Sequence, residues 1–248
     1  MIPATDAASS ALAHKRVYFG HQSVGANILD GVQDLCRTDP TLRLRVVESS
    51  DPEAYTAPVL GHSRLGRNHD PRSKIDAFAE ILGTKLGAKL DIALFKFCYI
   101  DVNEDSDNST LFGYYRKVMA QVAIACPQPL LVHVTVPITT VPGMLPRLIG
   151  GLLRRHNRAA HDNLARAQYN RLLTQAYAGK EPLFDLAAVE STTPAGHVHR
   201  FSLHGNECRA LVPTYSSDGR HLSGLGRRVV ANAFIQYLAR LEKTTTHE

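Results

Sequence analysis

The chain alternates between short runs of apolar, β-branched residues and longer segments in which apolar residues recur every three or four positions. Residues 90–97, LDIALFKF, form the most continuous apolar run, which is typical of a central parallel strand buried on both faces. Val24, Ile28 and Val32 lie at the spacing of one helix face. The pattern predicts strands over residues 16–19, 42–47, 90–97, 130–136 and 183–186, and helices over 24–37, 71–82, 111–125, 163–177 and 224–241.

Three segments lack such periodicity. Residues 48–71 are rich in Gly, Pro, His and Arg, and we predict a loop that ends where Pro71 opens the next helix, since the missing N–H is tolerated there. Residues 137–158 contain three prolines and three glycines, which predicts a long loop or insertion. Long loops in compact domains are often functional, so this one is a candidate lid or specificity element. Residues 1–14, rich in Ala and Ser, are predicted to be a flexible N-terminal segment.

The alternation of strands and helices indicates the fold class. Parallel strands need crossover connections, so repeated strand–helix units predict a parallel sheet covered on both faces. We therefore expect a single domain over residues 1–248 with a three-layer α/β/α, flavodoxin-like architecture. In such sheets the working site lies beyond the carboxyl ends of the strands, so the loops that follow the strands are where functional residues are expected.

The composition is that of an ordinary globular domain, with 44% hydrophobic and 21% charged residues among 248 and a net charge of +5. Basic residues are spread out apart from a cluster over 147–158, without the aromatic interleaving typical of nucleic-acid binders. We therefore expect no nucleic-acid partner. The sequence contains no run of about 18 apolar residues, so no membrane span is expected either.

The four cysteines lie far apart and form no Cys-x-x-Cys pair, which favours neither a disulfide framework nor a zinc ribbon. The first 14 residues lack a basic segment followed by an apolar stretch, and so do not resemble an intact secretory signal. The location is left open: cytoplasmic for the sequence as it stands, secreted or periplasmic if a signal has been removed. No pattern indicates an oligomeric state.

The first candidate for chemistry is Ser23, which follows the first predicted strand in the segment Phe-Gly-His-Gln-Ser. At the start of a helix, its hydroxyl is presented at the carboxyl edge of the sheet. The N-terminal amides of the helix point towards any oxyanion that its attack would form. The alternative is that Ser23 only caps the helix, because serine is a favoured N-cap residue.

A second candidate group, Asp218 and His221, precedes the closing helix. A carboxylate three residues before a histidine can reach the imidazole, fix its tautomer and stabilise the imidazolium formed when it accepts a proton. A capping turn would explain this spacing as well. A serine at the end of the first strand together with an Asp-x-x-His before the last helix is a more specific pattern, that of a serine hydrolase.

These two segments resemble the nucleophile and terminal blocks of the SGNH/GDSL hydrolase family. Residues 20–23, Gly-His-Gln-Ser, stand in place of the family's Gly-Asp-Ser, and residues 218–223 closely match its terminal block. The resemblance implies that Ser23 is the nucleophile and His221 the general base and then acid. It also implies that Asp218 orients His221.

The resemblance further implies an oxyanion hole built from the backbone N–H of Ser23, a glycine after the second strand and an asparagine after the third. Gly66 lies in the corresponding loop. The family's Gly-x-Asn-Asp has no full counterpart, because residues 98–101 are Cys-Tyr-Ile-Asp. We prefer Asn68, in the neighbouring loop, over Asn103 as the side-chain donor.

Three further residues are assigned supporting roles. Asp101 stands where the family's final Asp falls, and either holds the substrate or the nucleophile's loop or anchors the turn after the strand. Lys96 lies within an apolar strand, where a lysine is seldom unpaired, so we expect Asp101 or Asp70 to be its partner. His21 is expected to shape the site rather than act as the base, since the turn before the last helix already supplies one.

The expected activity is hydrolysis of a carboxylic ester through an acyl-enzyme, with no cofactor. The substrate would be a small-molecule or saccharide ester, and carbohydrate and lipid deacylases are included. One alternative is a carbohydrate- or polymer-binding module on the same fold whose catalysis has lapsed, which the missing Gly-x-Asn-Asp suggests. The other is a metal-dependent hydrolase that uses the histidines and cysteine of residues 197–208, where His-x-His is a zinc-ligand spacing. No His-Glu-x-x-His motif or paired carboxylates accompany them, so we predict no metal.

Overall fold

The computed structural model describes residues 5–142 and 157–242 and is built around a six-stranded parallel sheet in the order β2-β3-β1-β4-β5-β6. The strands of this sheet are β1 (Arg16–His21), β2 (Val46–Glu48), β3 (Val59–Arg64), β4 (Ile92–Phe95), β5 (Leu130–Val134) and β6 (Leu183–Phe184). The helices are α1 (Thr5–Leu12), α2 (Ser23–Thr38), α3 (Pro71–Leu82), α4 (Asn108–Ala125), α5 (Arg158–Tyr177), α6 (Leu186–Ser191) and α7 (Gly224–Arg240). A separate antiparallel hairpin joins β7 (Arg200–Leu203) to β8 (Asn206–Arg209).

Two hydrophobic cores lie on opposite faces of the sheet. Successive side chains of a strand point to opposite faces, so Phe19 of β1 enters one core and Tyr18 the other. The first core lies beneath α1, α2, α6 and α7, and the second beneath α3, α4 and α5. The predicted three-layer α/β/α class is therefore confirmed. None of the helices within the described residues is long and apolar enough to cross a membrane.

The connections diverge at the carboxyl end of β1. This strand pairs with β3 on one side and β4 on the other, and it feeds α2 on the first face of the sheet. Its two neighbours feed α3 and α4 on the second face. Loops that leave adjacent strands for opposite faces open a crevice between them, which is where ligands bind in open α/β sheets.

One central strand lies inside the segment 48–71, which was predicted to be a loop. The sequence of β3, VLGHSR, is apolar only at its first two positions, because its later residues reach the polar carboxyl edge of the sheet. An apolar run this short carries no recognisable periodicity. The neighbouring strand β2 is shorter than the predicted 42–47, and α6 and the β7–β8 hairpin were not predicted.

A helix lies within the segment 1–14, which was predicted to be flexible. Residues 5–12 form α1, which packs against α7. Ala8 and Leu12 are four positions apart and so lie on one face of the helix, where both are buried. Of the predicted loop 137–158, Ile138 and Thr139 are buried near the carboxyl edge of the sheet and α5 already begins at Arg158. Residues 143–156 lie outside the described part of the chain.

Phe234 is the aromatic centre of the first core. Its ring lies 5.1 Å from Phe19 and 5.6 Å from Phe184, and it is 1% exposed. We expect Phe234→Ala to lower the free energy of unfolding by about 3–5 kcal/mol through lost burial and a residual cavity, measured by urea denaturation. Leu225→Ala, on the same helix at 41% exposure, is the control and should cost about 0.5 kcal/mol or less. Equal losses for the two variants would contradict this account of the core.

Candidate active site

Ser23 is the first residue of α2 and does not cap it. Gln22 occupies the N-cap position with extended backbone angles and makes no side-chain capping bond. Its amide instead donates to the carbonyls of Leu65 at 2.7 Å and Gly66 at 3.1 Å, which ties the loop after β3 to the start of α2. The hydroxyl of Ser23 therefore stays free of the helix backbone, at the carboxyl edge of the sheet.

The structure brings Ser23, His221 and Asp218 together. His221 Nε2 lies 3.2 Å from Ser23 Oγ, across 198 positions of sequence. On the other side of the ring, His221 Nδ1 lies 2.7 Å from Asp218 Oδ2. The second oxygen of Asp218 accepts the backbone N–H groups of His221 at 2.7 Å and Arg220 at 2.8 Å. The three side chains thus form one continuous hydrogen-bonded chain.

The charge on Asp218 determines the proton position on the imidazole. Burial acts to raise its pKa, but the hydrogen bonds from the His221 side chain and from the two backbone N–H groups hold that pKa well below its usual range. An ionised carboxylate can only accept a hydrogen bond, so Nδ1 carries the proton of the neutral ring. Nε2 is then left with a lone pair directed at the Ser23 hydroxyl.

Several local contacts build the turn that holds His221. Gly219 has a φ of +81°, and a Cβ there would come within 2.6 Å of the Thr140 hydroxyl, so the turn requires glycine. The hydroxyl of Ser216 donates to the His221 carbonyl at 2.6 Å. One residue further on, the N–H of Leu222 donates to the Asn27 side chain at 3.1 Å.

His21 lies beneath the start of α2 and is buried. If its Nδ1 donates to the Gln22 carbonyl at 2.9 Å, its Nε2 accepts from His62 Nδ1 at 3.0 Å, so both nitrogens are occupied. Burial lowers the pKa of His21 to about 4, with the charge of Lys96 acting in the same direction. A neutral imidazole with both nitrogens engaged fits the supporting position expected for His21.

Asp101 is held by an ion pair that the sequence did not indicate. Its carboxylate accepts hydrogen bonds from the ammonium of Lys74, from the N–H of Cys98 at 2.6 Å and from the N–H of His69 at 3.1 Å. Both charged side chains are almost fully buried. This corrects the expected pairing with Lys96, whose ammonium donates to the carbonyl of the next residue, Phe97, at 3.0 Å.

Lys74 was missed because a lysine on a helix is normally part of a solvated face. The signal was its spacing, since Lys74 lies four residues before Phe78 and therefore on the buried face of α3. The ion pair joins α3 to the loop after β4, and the His69 N–H joins the loop after β3 to the same carboxylate. Cys98 of the loop after β4 brings its Sγ to 3.9 Å from Ser23 Oγ.

Gly66 lies in the loop that Gln22 anchors. Its φ is +52°, and a Cβ would come within 2.7 Å of the backbone at Ser73 and Lys74, so no other residue fits this bend against the start of α3. Asn68 follows on the same loop, and its Oδ1 accepts Lys74 Nζ at 3.0 Å. That bond orients the carboxamide and leaves its N–H groups available.

Asn103, the other candidate donor, is engaged in a turn of its own. Its Oδ1 accepts the N–H of Asp105 at 2.9 Å, and its backbone N–H donates to the Ser106 hydroxyl at 2.9 Å. No contact links this turn to Gln22 or Ser23 within the described residues. Both asparagines thus have their side-chain oxygen in a hydrogen bond, and Asn68 is the one on the loop that Gln22 ties to the start of α2.

A buried acid lies behind the site. Glu190 of α6 accepts the N–H of Ile138 at 2.8 Å, and burial raises its pKa to about 8 against the opposing charges of Lys96 and Arg166. It was not foreseen, because the helix that carries it was not predicted. Through Ile138 it anchors the chain that leaves β5 next to the crevice.

The candidate metal ligands of residues 197–208 do not converge. His197, His199 and His204 are exposed, whereas Cys208, on β8, is buried. No group of three His, Cys, Asp or Glu side chains that could hold a metal ion occurs within residues 5–142 and 157–242.

No protein-family model matches the chain, and no curated protein matches it in sequence. Among solved structures it is similar to "a putative SGNH hydrolase" from Slackia heliotrinireducens, at 17% identity over 90% of this chain and 97% of that one, with a TM-score of 0.41. It is also similar to phospholipase A1 from Streptomyces albidoflavus NA297, at 12% identity, 91% and 98% coverage and a TM-score of 0.44. A third, "a putative platelet activating factor from Streptococcus pneumonia", has 16% identity, 90% and 82% coverage and a TM-score of 0.49. The first bears the name of the family that the motifs resemble, but at these identities and TM-scores the likeness supports no statement about activity or substrate.

The buried Lys74–Asp101 pair makes a stability prediction. Lys74→Met and Asp101→Asn should each lower the free energy of unfolding by about 3–5 kcal/mol, because each leaves one buried group without its partner. The double variant should lose clearly less than the sum, as measured in a urea-denaturation cycle. Arg67→Gln is the control: it breaks an ion pair with Asp70 in the loop just before α3, its arginine is 80% exposed, and the loss should be about 0–1 kcal/mol. Additive losses in the double variant would show that the two side chains do not act as a pair.

Proposed function

We propose that the protein is a serine ester hydrolase of the SGNH/GDSL type that works through an acyl-enzyme on Ser23. The observation that carries the proposal is the continuous hydrogen-bonded chain from Ser23 Oγ through His221 to Asp218, at 3.2 and 2.7 Å. Its position supports the same interpretation, since it lies where the loops diverge at the carboxyl end of β1.

In the first step, Ser23 Oγ attacks the ester carbonyl while its proton passes to His221 Nε2. A bond forms between Oγ and the carbonyl carbon, and the carbonyl oxygen becomes an oxyanion. The imidazolium that results is stabilised by the ionised Asp218, which does not itself take the proton. When the tetrahedral intermediate collapses, Nε2 returns the proton to the departing alcohol and the acyl group remains on Ser23.

In the second step, water attacks the acyl-enzyme and gives its proton to His221 Nε2. Collapse of the second tetrahedral intermediate releases the carboxylic acid, and the proton returns to Ser23 Oγ. Every proton transfer thus uses the same nitrogen, and no additional titratable group is required.

The oxyanion needs donors at each step. The N–H of Ser23 belongs to the first turn of α2, where backbone N–H groups lack intrahelical acceptors. The N–H of Gly66 and the carboxamide of Asn68 are the proposed second and third donors, on the loop that Gln22 and Lys74 hold. In this arrangement Asn68 replaces the asparagine of the family's third block.

Ser23→Ala tests the nucleophile. We expect turnover of 4-nitrophenyl acetate to fall by about three to six orders of magnitude, because the general base and the oxyanion donors alone give little catalysis. A fluorophosphonate probe should label the wild-type protein at Ser23, as mapped by peptide mass spectrometry. Ser109→Ala, an exposed serine on α4, is the control and should keep both properties.

Other results of the same experiment would favour the alternatives. Equal turnover by wild type and Ser23→Ala, or labelling at another residue, would contradict the assignment and favour a binding module on this fold. Turnover that is lost on chelation and restored by zinc would favour a metal-dependent hydrolase.

Asn68→Ala tests the side-chain oxyanion donor. Loss of one such donor should lower kcat about 10²–10³-fold with little change in KM, because the contact forms in the transition state. Asn103→Ala is the matched control and should change kcat only slightly. A larger effect at Asn103 than at Asn68 would reverse the assignment while leaving the role of Ser23 intact.

A further inference from the structure

A cavity of about 360 Å³ lies beside His221. Tyr99 forms part of its wall, and the Tyr99 and His221 rings meet edge to face with centroids 5.8 Å apart. This volume is at the small end of the range for ligand pockets. The cavity has the position and size of a substrate subsite for the hydrolase, and a role in substrate binding therefore rests on that proposed function.

Three arginines and one aspartate line the cavity: Arg158, Arg166, Arg220 and Asp162. Arg166 is 2% exposed, and its hydrogen bonds are all to protein groups in the wall of the cavity. Its guanidinium donates to the carbonyls of Tyr99 and Val102 and to the side chains of Thr139 and Asn163. Asp162 lies 3.7 Å from the same guanidinium, so these two charges largely balance each other.

Arg220 carries the remaining charge among the described residues that line the cavity. The backbone N–H of Arg220 donates to Asp218 at 2.8 Å, so this residue is fixed in the turn that holds His221. Its guanidinium makes no hydrogen bond or ion pair within the described residues, although it lines the cavity. Arg158 is 67% exposed and lies 3.7 Å from carboxylates of both Glu104 and Asp105, which balance its charge as Asp162 balances that of Arg166.

We infer that this cavity binds an anionic group of the ester substrate, a carboxylate or a phosphate, with Arg220 as the main contact. A guanidinium offers a planar pair of N–H donors that matches these oxyanions, and its charge is permanent at neutral pH. Because Arg220 is adjacent to His221 in sequence, an anion held there sets the distance between the charged end of the substrate and its reacting carbonyl. A neutral ester offers this arginine no opposite charge.

A matched pair of esters tests the inference by turnover. The mono(4-nitrophenyl) ester of adipic acid and 4-nitrophenyl hexanoate share the leaving group and acyl length and differ by one terminal carboxylate. We expect wild type to favour the charged ester in kcat/KM. Arg220→Gln should lower that preference at least tenfold, mainly through KM, and Arg220→Lys should restore part of it.

Arg37→Gln is the control, because it removes one positive charge about 21 Å along α2 from Ser23. The preference for the charged ester should be unchanged in this variant. If Arg220→Gln leaves the preference as it is in wild type while both esters are hydrolysed, the inference is overturned and the proposed function stands.

Binding without turnover separates the two sources of the anion. Hexanoate, hexyl phosphate and hexanol share one chain length, and their affinities are measured by isothermal titration calorimetry. At least one anion should bind more tightly than hexanol to wild type, and Arg220→Gln should abolish the difference. Tighter binding of hexanoate supports a carboxylate-bearing ester, and tighter binding of hexyl phosphate supports a phosphate-bearing one such as a lipid headgroup.

The remaining outcomes are equally decisive. If neither anion binds more tightly than hexanol, the inference is wrong. Arg220-dependent anion binding without hydrolysis of either ester would contradict the proposed function and preserve the anion site.

Discussion

The close contact between α2 and α7 determines where the two ends of the candidate site lie. A Cβ at Gly31 would come within 2.8 Å of Ala231 and within 2.4 Å of the Arg227 carbonyl, so the helices approach as closely as backbones allow. Arg227 also forms an ion pair with Asp30 on α2 and donates a hydrogen bond to the carbonyl of Leu222, both at 3.2 Å. Ser23 begins one of these helices and His221 lies just before the other. Their 3.2 Å contact is therefore a consequence of helix packing as much as of the turn itself.

The opposite wall of the crevice depends on buried charge rather than on helix packing. Lys74 and Asp101 are closed to solvent, and two ions in that position stabilise a fold only when nearly all their hydrogen-bonding capacity is used. Here Asp101 accepts two backbone N–H groups besides the lysine, and Lys74 also holds Asn68. The cost of burying the pair is thus offset by fixing the two loops that face Ser23. Apolar residues of the same volume would fill the space but would leave those loops without a common anchor.

A feature of the fold or of the candidate site could be predicted when a short stretch of sequence indicates it. Ser23, Asp218 and His221 were predicted, because a strand–turn–serine and an Asp-x-x-His are short patterns with a direct chemical interpretation. Strand β3 was missed because its polar half lies at the site, where function rather than burial decides the residues.

The ion pair could not be assigned correctly from the sequence for a related reason. Lys96 is the more conspicuous lysine, since it interrupts an apolar strand, whereas Lys74 stands on an ordinary amphipathic helix. Only the three-dimensional arrangement of α3 and the loop after β4 brings Lys74, 27 positions away, to Asp101. The burial of Lys96 is visible in the sequence, but the partner of a buried charge is a property of the tertiary fold.

The N-terminus of α2 bears on the choice between the two roles considered for Ser23. Helices α3, α4, α5, α6 and α7 each begin with an Asp, Asn or Ser whose side chain accepts an N–H of the first turn. In α2 the N-cap is Gln22, whose side chain is committed to the loop at Gly66 instead. A missing cap typically costs a helix about 1 kcal/mol. A serine at position 22 would have avoided that cost. Its hydroxyl would then have accepted an N–H of the first turn, which would no longer be available to an oxyanion, and it would have pointed away from His221. An uncapped helix that presents its serine to a histidine is thus expected of a nucleophile and has no evident structural advantage.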